Sequence, residues 1–281
     1  MFVYTGKSID VFEDVWNMWM RYAGVDDYIY ADILSFRCFA FSCGEDMTEW
    51  FSPAQPMEMA ITELCSSLGI MENCTIVPAA DWVGMQSELQ QPVFLADICL
   101  GVENDTVGNR FYHGIPPCSI LYRHSDGKHL VYTSSGIPFI ELSEDQVRDK
   151  IAASKGYVVT GKMPLQIQWP SWKEILHRGV QWRKKTADNE KRLERLCPGS
   201  FERIQSRYSR LAIWYGLMNY QVQLSKVVRF CAREAEIRDS AIEELNNVLL
   251  RIAQIYMNQE YEGIVRLEEE FWALIQRIEE D

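Results

Sequence analysis

The spacing of apolar residues along the chain changes once, at a proline-containing stretch over 161–172. Before it, over 1–160, short runs of β-branched and aromatic residues alternate with helical periodicities, which predicts an α+β domain. After it, over 173–281, apolar residues recur every three or four positions in long segments. That spacing predicts an antiparallel helical bundle joined to the first domain by the 161–172 linker.

Within 1–160 the predicted order of elements is α-β-α-α-β-β-β-α, with an antiparallel sheet. One apolar face predicts a helix over 8–22 that begins at Ser8, and the span 28–43 favours strand. Further helices are predicted at 56–69, at 81–90 and after Ser143, and strands at 92–100, 117–123 and 128–134. Asp126-Gly127 predicts a hairpin between the last two strands, with His124 and His129 facing solvent.

The net charge of −12 is unevenly distributed. Residues 1–160 contain 9 basic and 22 acidic side chains, whereas 161–281 contain 19 and 18. A nucleic-acid-binding protein needs the opposite sign, so that class of partner is excluded. An acidic domain attracts a cationic amine or polyamine over long range, although solubility alone explains the same charge.

No apolar run approaches the 18 residues that a membrane-spanning helix needs, and residues 1–16 lack a signal-peptide pattern, so a cytoplasmic location is expected. The eight cysteines form no Cys-x-x-Cys pair. Most are therefore expected to be buried thiols, and neither a metal site nor a cofactor is predicted.

Two motifs carry a resemblance. Gln91-Pro92-Val93 leads into a strand that ends at Asp97, and Leu142-Ser143-Glu144 leads into a helix. With the segment order, they resemble the papain-like amide-forming acyltransferases of natural-product biosynthesis, of the butirosin and petrobactin type. The resemblance implies a papain-like fold with a helical companion domain. It also implies transfer of an acyl group from a carrier-protein thioester to an amine.

The family's catalytic residues are missing from their expected positions. Asp10 stands where the resemblance places the nucleophilic cysteine, with Ser8 as an alternative position. Cys118 stands where the histidine is expected, and Ser134 where the acid is expected. A carboxylate accepts an acyl group poorly, so two readings stay open: the chemistry is lost, or Cys43 and His113 replace the missing pair.

Candidate substrate-binding residues are Asp10, Asp97, Trp172 and Trp214. The Asp10 carboxylate suits an ammonium group, and Asp97 corresponds to the aspartate that the resembled family carries on this strand. The tryptophans would line an apolar groove, although core packing explains them equally well. The basic run at 183–185 would dock an acidic carrier protein or the chain's own acidic domain, or it would lie on a solvated helix face.

The sequence therefore favours a protein of secondary-metabolite biosynthesis, concerned with a peptide, siderophore or polyamine conjugate. Its expected partners are an acyl carrier protein or its thioester and a cationic amine. Whether it is an active enzyme or a non-catalytic relative is left open. The alternative is a structural or dimerising interaction protein without small-molecule chemistry, and a homodimer is compatible with either reading.

Overall fold

The computed structural model describes residues 11–43, 50–53, 55–82, 91–98, 100, 118–124, 126–132, 138–161, 167–186, 221–233, 239–258 and 264–280. The chain divides into two compact units. The first comprises Met1–Ala31 and Met57–Trp169, and the second comprises Asp32–Pro56 and Pro170–Asp281. The segment 32–56 thus lies in the second unit, whereas the sequence pattern places it in the first domain. Within the described ranges, no helix is both long and apolar enough to cross a membrane.

The helices in chain order are α1 (Val11–Tyr22), α2 (Ala31–Leu34), α3 (Met57–Ser67), α4 (Ala79–Trp82), α5 (Glu144–Ala152), α6 (Trp172–Thr186), α7 (within 221–233), α8 (Asp239–Asn258) and α9 (Ile264–Glu280). The strands are β1 (Phe41–Cys43), β2 (Trp50–Pro53), β3 (Cys74–Pro78), β4 (Val93–Ala96), β5 (Cys118–Arg123), β6 (His129–Tyr132), β7 (Pro138–Leu142) and β8 (Tyr157–Gly161). A 3₁₀ turn at Met71–Asn73 precedes β3.

The first unit is built on a six-stranded sheet of order β3-β8-β4-β5-β6-β7, in which every neighbouring pair is antiparallel. The α+β class with an antiparallel sheet is therefore confirmed. All four residues of β4 are buried, as expected of an inner strand that follows Pro92. The pairing of β8 between β3 and β4 was not predicted, because it joins strands more than 60 residues apart in the chain.

Alternation along β4 gives the sheet two buried faces. Val93 and Leu95 point into an apolar cluster that also contains Trp82 of α4 and Val147 and Ile151 of α5. Phe94 points to the opposite face, which α1 covers. Each face thus removes apolar surface from water, which is the main stabilising contribution in such a layered unit.

Local signals predicted three features correctly. Helix α3 ends just before Gly69, whose φ of +66° is the left-handed conformation that closes helices. The β5–β6 hairpin turns at Gly127, with a φ of +84° and a hydrogen bond from its N–H to the carbonyl of His124. Helix α5 begins in a capping box, in which Ser143 accepts from the Gln146 N–H and the Gln146 side chain accepts from the Ser143 N–H.

Three predictions were wrong. The span 28–43 contains α2 and forms strand only at 41–43, because buried packing of Ile33 and Leu34 overrides their strand propensity. Tyr22, the last residue of the apolar face predicted over 8–22, is 46% exposed, and its ring centroid lies 6.0 Å from that of Tyr122. His129, expected in solvent, is only 2% exposed.

In the second unit, α9 packs against both α8 and α6, and β1 pairs with β2. The apolar stripes predicted for α8 and α9 are largely buried, at Leu245, Leu249, Ile252, Leu267, Phe271, Leu274 and Ile278. Of the segment predicted as a helical bundle, residues 187–220 lie outside the described residues.

Candidate functional site

Aromatic packing sets the direction of α1 across the sheet. The rings of Phe12 and Trp16 lie 6.0 and 5.1 Å from the ring of Phe94 on β4, measured between centroids. Further along, the indole N–H of Trp19 donates to the carbonyl of Pro92 at 3.0 Å. Since β4 runs from Val93 to Ala96, the helix lies antiparallel to it. The N-terminal end of α1 therefore lies towards the Ala96 end of β4.

Other chain segments converge on this same end of the sheet. Strand β5 begins at Cys118, which pairs with Ala96, and β6 ends at Tyr132, which pairs with Ile120. Strand β8 begins at Tyr157, which also pairs with Ala96. We call this region, defined by Ala96, Cys118 and Tyr157, the sheet end.

Cys118 is fully buried at the sheet end. Its pairing with Ala96 places it on the same face as Phe94, which is the face that α1 covers. Its thiol is reduced. Burial makes a thiol a poor nucleophile, because the thiolate is the reactive form and burial disfavours it. Of the histidines that the structure describes in this unit, His124 and His129 both lie at the opposite end, on the β5–β6 hairpin.

Asp97 leaves β4 at the sheet end in a left-handed conformation, with a φ of +53°. Aspartate is one of the few non-glycine residues that adopt this region readily. Its side chain is exposed, so the sharp turn presents a carboxylate to solvent. The chain at Gly156 packs closely against this turn, since an added Cβ there would lie 2.1 Å from the Ala96 carbonyl oxygen and 2.6 Å from the Asp97 carbonyl carbon.

A second carboxylate approaches the sheet end from α3. The Tyr157 hydroxyl donates to Glu58 Oε2 at 2.9 Å. This hydrogen bond raises the pKa of the Tyr157 hydroxyl, and burial and the negative charges of Glu58 and Asp97 act in the same direction. Two carboxylates therefore flank one phenol, which gives the sheet end a local negative potential.

The first turns of α1 contain polar side chains that are buried, which the sequence pattern does not indicate. Glu13 and Asp14 are each 2% exposed, and Glu13 Oε1 accepts from the Tyr28 hydroxyl at 2.7 Å. Asn17 accepts from the Ile29 N–H and donates to the Ile29 carbonyl, both at 2.7 Å. Acidic residues at a helix N-terminus complement its dipole, which the sequence does show, but their burial depends on the chain at 28–29.

The structure places few of the predicted site residues together. Asp97 and Cys118 both lie at the sheet end. Trp172 begins α6 in the second unit, partly buried, with the Lys173 ammonium 5.3 Å from its ring centroid. Cys43 ends β1, also in the second unit. The remaining candidates lie outside the described residues: Asp10, His113, Ser134 and Trp214.

A separate buried polar cluster stabilises the second unit. Asp32 is fully buried, lies 3.3 Å from Arg37 and pairs with Lys226 of α7. The Cys38 thiol donates to Gln223 Oε1 at 3.0 Å. These contacts attach residues 32–38 to α7. They pair charges that would otherwise be costly to bury, which is a structural role.

Arg183 of α6 shows why the basic run at 183–185 is not one solvated face. It is 8% exposed, its guanidinium carbon lies 4.6 Å from the Trp272 ring centroid, and Glu268 lies 3.9 Å away. Lys184 and Lys185 are exposed.

Within the described residues, no group of three or more histidine, cysteine or acidic side chains is arranged to hold a metal ion.

No protein-family profile, curated protein or solved structure matches the chain.

Proposed function

We propose that the protein is a papain-like relative of the amide-forming acyltransferases of natural-product biosynthesis, and that it binds a cationic amine without forming an acyl-enzyme. The observation that carries the proposal is the convergence at the sheet end. The start of Cys118's strand, the end of the following strand and the N-terminal end of α1 all lie there. A papain-like triad needs these three positions together.

The residues at those positions argue against covalent catalysis. Cys118 replaces the expected histidine and is fully buried. A thioester acceptor needs a nucleophile that is reachable and a base that activates it. Cys118 is not reachable from solvent, and the histidines that the structure describes in the first unit lie at the opposite end of the sheet, which favours a binding role on the inherited scaffold. We also propose that 173–281 forms the antiparallel helical bundle that accompanies the papain-like domain in these acyltransferases.

The charges at the sheet end favour a cationic ligand. Asp97 and Glu58 are exposed carboxylates on either side of Tyr157. The surrounding sequence has the same sign, with 22 acidic against 9 basic residues over 1–160. A polyamine would therefore be attracted over long range and would find carboxylate partners for its ammonium groups.

Calorimetric titration with spermidine tests the binding role. We expect Asp97→Asn to weaken binding about fivefold, the equivalent of ~1 kcal/mol for an exposed charge pair. Asparagine also tolerates a positive φ, so the variant removes charge without straining the turn. Asp149→Asn on α5 is the matched control, because Asp149 is also exposed but lies on a helix that covers the opposite face of the sheet. Equal loss in both variants, or no binding by the wild type, would refute the assignment.

Intact-mass analysis after incubation with an acyl-carrier thioester tests the absence of covalent chemistry. We expect the mass to remain that of the unmodified chain. A stable acyl adduct that disappears in Cys118→Ser would instead identify an active acyltransferase and overturn the non-catalytic part of the proposal.

A further inference from the structure

Two thiols of the first unit lie next to each other, although eight residues separate them in the chain. Cys65 lies in α3 and is fully buried, whereas Cys74 begins β3 and is partly exposed. Neither is part of the sheet end, and neither belongs to a Cys-x-x-Cys motif.

The connection between them explains their proximity. The Ile70 N–H donates to the Cys65 carbonyl at 2.9 Å, and the Asn73 N–H donates to the Ile70 carbonyl at the same distance. Gly69, with a φ of +66°, reverses the chain between α3 and the 3₁₀ turn. Helix α3 also packs against β3, and the Cys65 thiol and the Cys74 sulfur are hydrogen-bonded.

The two sulfurs differ in reactivity. The hydrogen bond with Cys65 lowers the pKa of Cys74, against the opposing effect of burial. The same hydrogen bond, together with burial, raises the pKa of Cys65. Cys74 is also the more accessible sulfur of the pair, so it is the one that an oxidant from solvent reaches first.

We propose that Cys65 and Cys74 form a peroxide-sensitive dithiol, in which Cys74 is attacked first and Cys65 resolves the product as a disulfide. Cys74 Sγ attacks one oxygen of hydrogen peroxide, which breaks the O–O bond and gives a sulfenic acid and one water. Cys65 Sγ then attacks Cys74 Sγ, which forms the S–S bond and releases the second water. Two thiols lose two electrons in total, and the peroxide accepts them.

The proposal is independent of amine binding, since it concerns a different part of the first unit. Its consequence is a covalent link between α3 and β3, the strand at one edge of the sheet. The link closes a short loop whose turns already hold the two ends together.

Limited oxidation of the full chain with hydrogen peroxide, followed by mass mapping, tests the pairing. A protease that cleaves after glutamate cuts at Glu63 and Glu72. Cys65 and Cys74 then lie on separate peptides that only a disulfide joins. We expect this joined pair after oxidation, and the two separate peptides after reduction with dithiothreitol.

Variants distinguish the attacking from the resolving sulfur. In Cys65→Ser, a dimedone adduct should accumulate on Cys74, because its sulfenic acid has no resolving thiol. In Cys74→Ser, Cys65 should remain unmodified. Cys231→Ser is the matched control, since that buried thiol of the second unit has a pKa raised to about 12 by burial and should leave the pairing unchanged. A disulfide to another cysteine, equal labelling of both sulfurs or no oxidation at millimolar peroxide would overturn the proposal.

Discussion

The buried ion pairs of Asp32 offer the largest single effect on stability that the structure predicts. Asp32→Asn keeps the size of the side chain and removes the charge that Arg37 and Lys226 share. All three side chains are nearly inaccessible, at 0%, 9% and 8% exposure. Neither water nor salt can therefore replace the lost ion pairs, as they would for charges on the surface.

The expected magnitude follows from the separation and the burial. Two unit charges 3.3 Å apart attract by about 5 kcal/mol at an effective dielectric constant of 20. In the folded wild type this attraction is largely offset by desolvation of the charges. The variant loses the attraction to both cations, while the cations stay buried. We therefore expect a loss of about 3–5 kcal/mol in the free energy of unfolding, the range for breaking a buried pair from one side.

Urea unfolding followed by circular dichroism at 222 nm measures this loss, since much of the second unit is helical. Glu270→Gln is the matched control in the same unit. Its carboxylate pairs with Arg251 at 2.8 Å, but the two side chains are 41% and 51% exposed, so we expect a loss below about 1 kcal/mol. If Asp32→Asn costs no more than this control, the argument from burial is wrong.

Three further predictions concern the first unit. Gly156→Ala should lower the free energy of unfolding by about 3 kcal/mol, because the added Cβ meets the backbone of Ala96. Gly127→Ala should lower it by only about 1 kcal/mol, because Gly127 has a φ of +84° but open space around it. Thermal melts of both variants check this, and equal shifts would contradict it. Asp97→Val should lower the free energy of unfolding by about 1–2 kcal/mol, because a β-branched side chain is strained at φ +53°. A urea titration beside the wild type measures this loss, and an unchanged midpoint would show that the turn relaxes instead. Burial lowers the pKa of His129, so the unfolded chain binds its proton more readily and stability should fall as pH drops from 6.5 towards the lower folded pKa. His129→Leu should show a smaller loss of unfolding free energy between pH 7.5 and 5, and an identical pH profile would exclude this cause.

Features with a local cause could be predicted from the sequence. The end of α3 at Gly69, the turn at Gly127 and the cap at Ser143 each depend on a few neighbouring residues. The inner strand beginning at Val93 was recognisable because it is continuously apolar. These signals also gave the α+β class correctly.

Features with a distant cause could not be predicted. Helix α2 forms where aromatic and β-branched residues favour strand, because Ile33 and Leu34 are buried in it and its Asp32 pairs with Lys226, far along the chain. The burial of Glu13 and Asp14 has no local signal, since charged residues are rarely buried unless they are paired. The proximity of two predicted site residues could not be predicted for the same reason. Asp97 and Cys118 come together only through the pairing of β4 with β5.

The split of the second unit into two chain segments has a consequence for synthesis. Asp32 and Lys226 are 194 residues apart. At about 5–20 residues per second, a ribosome needs roughly 10–40 s to add the second after the first. Until α6 (Trp172–Thr186) has been made, which takes most of that interval, Phe36 and Phe39 lack the helix they pack against, although both flanking parts of the first unit can already begin to pair. We expect this early segment to be the part of the nascent chain most exposed to chaperones and proteases.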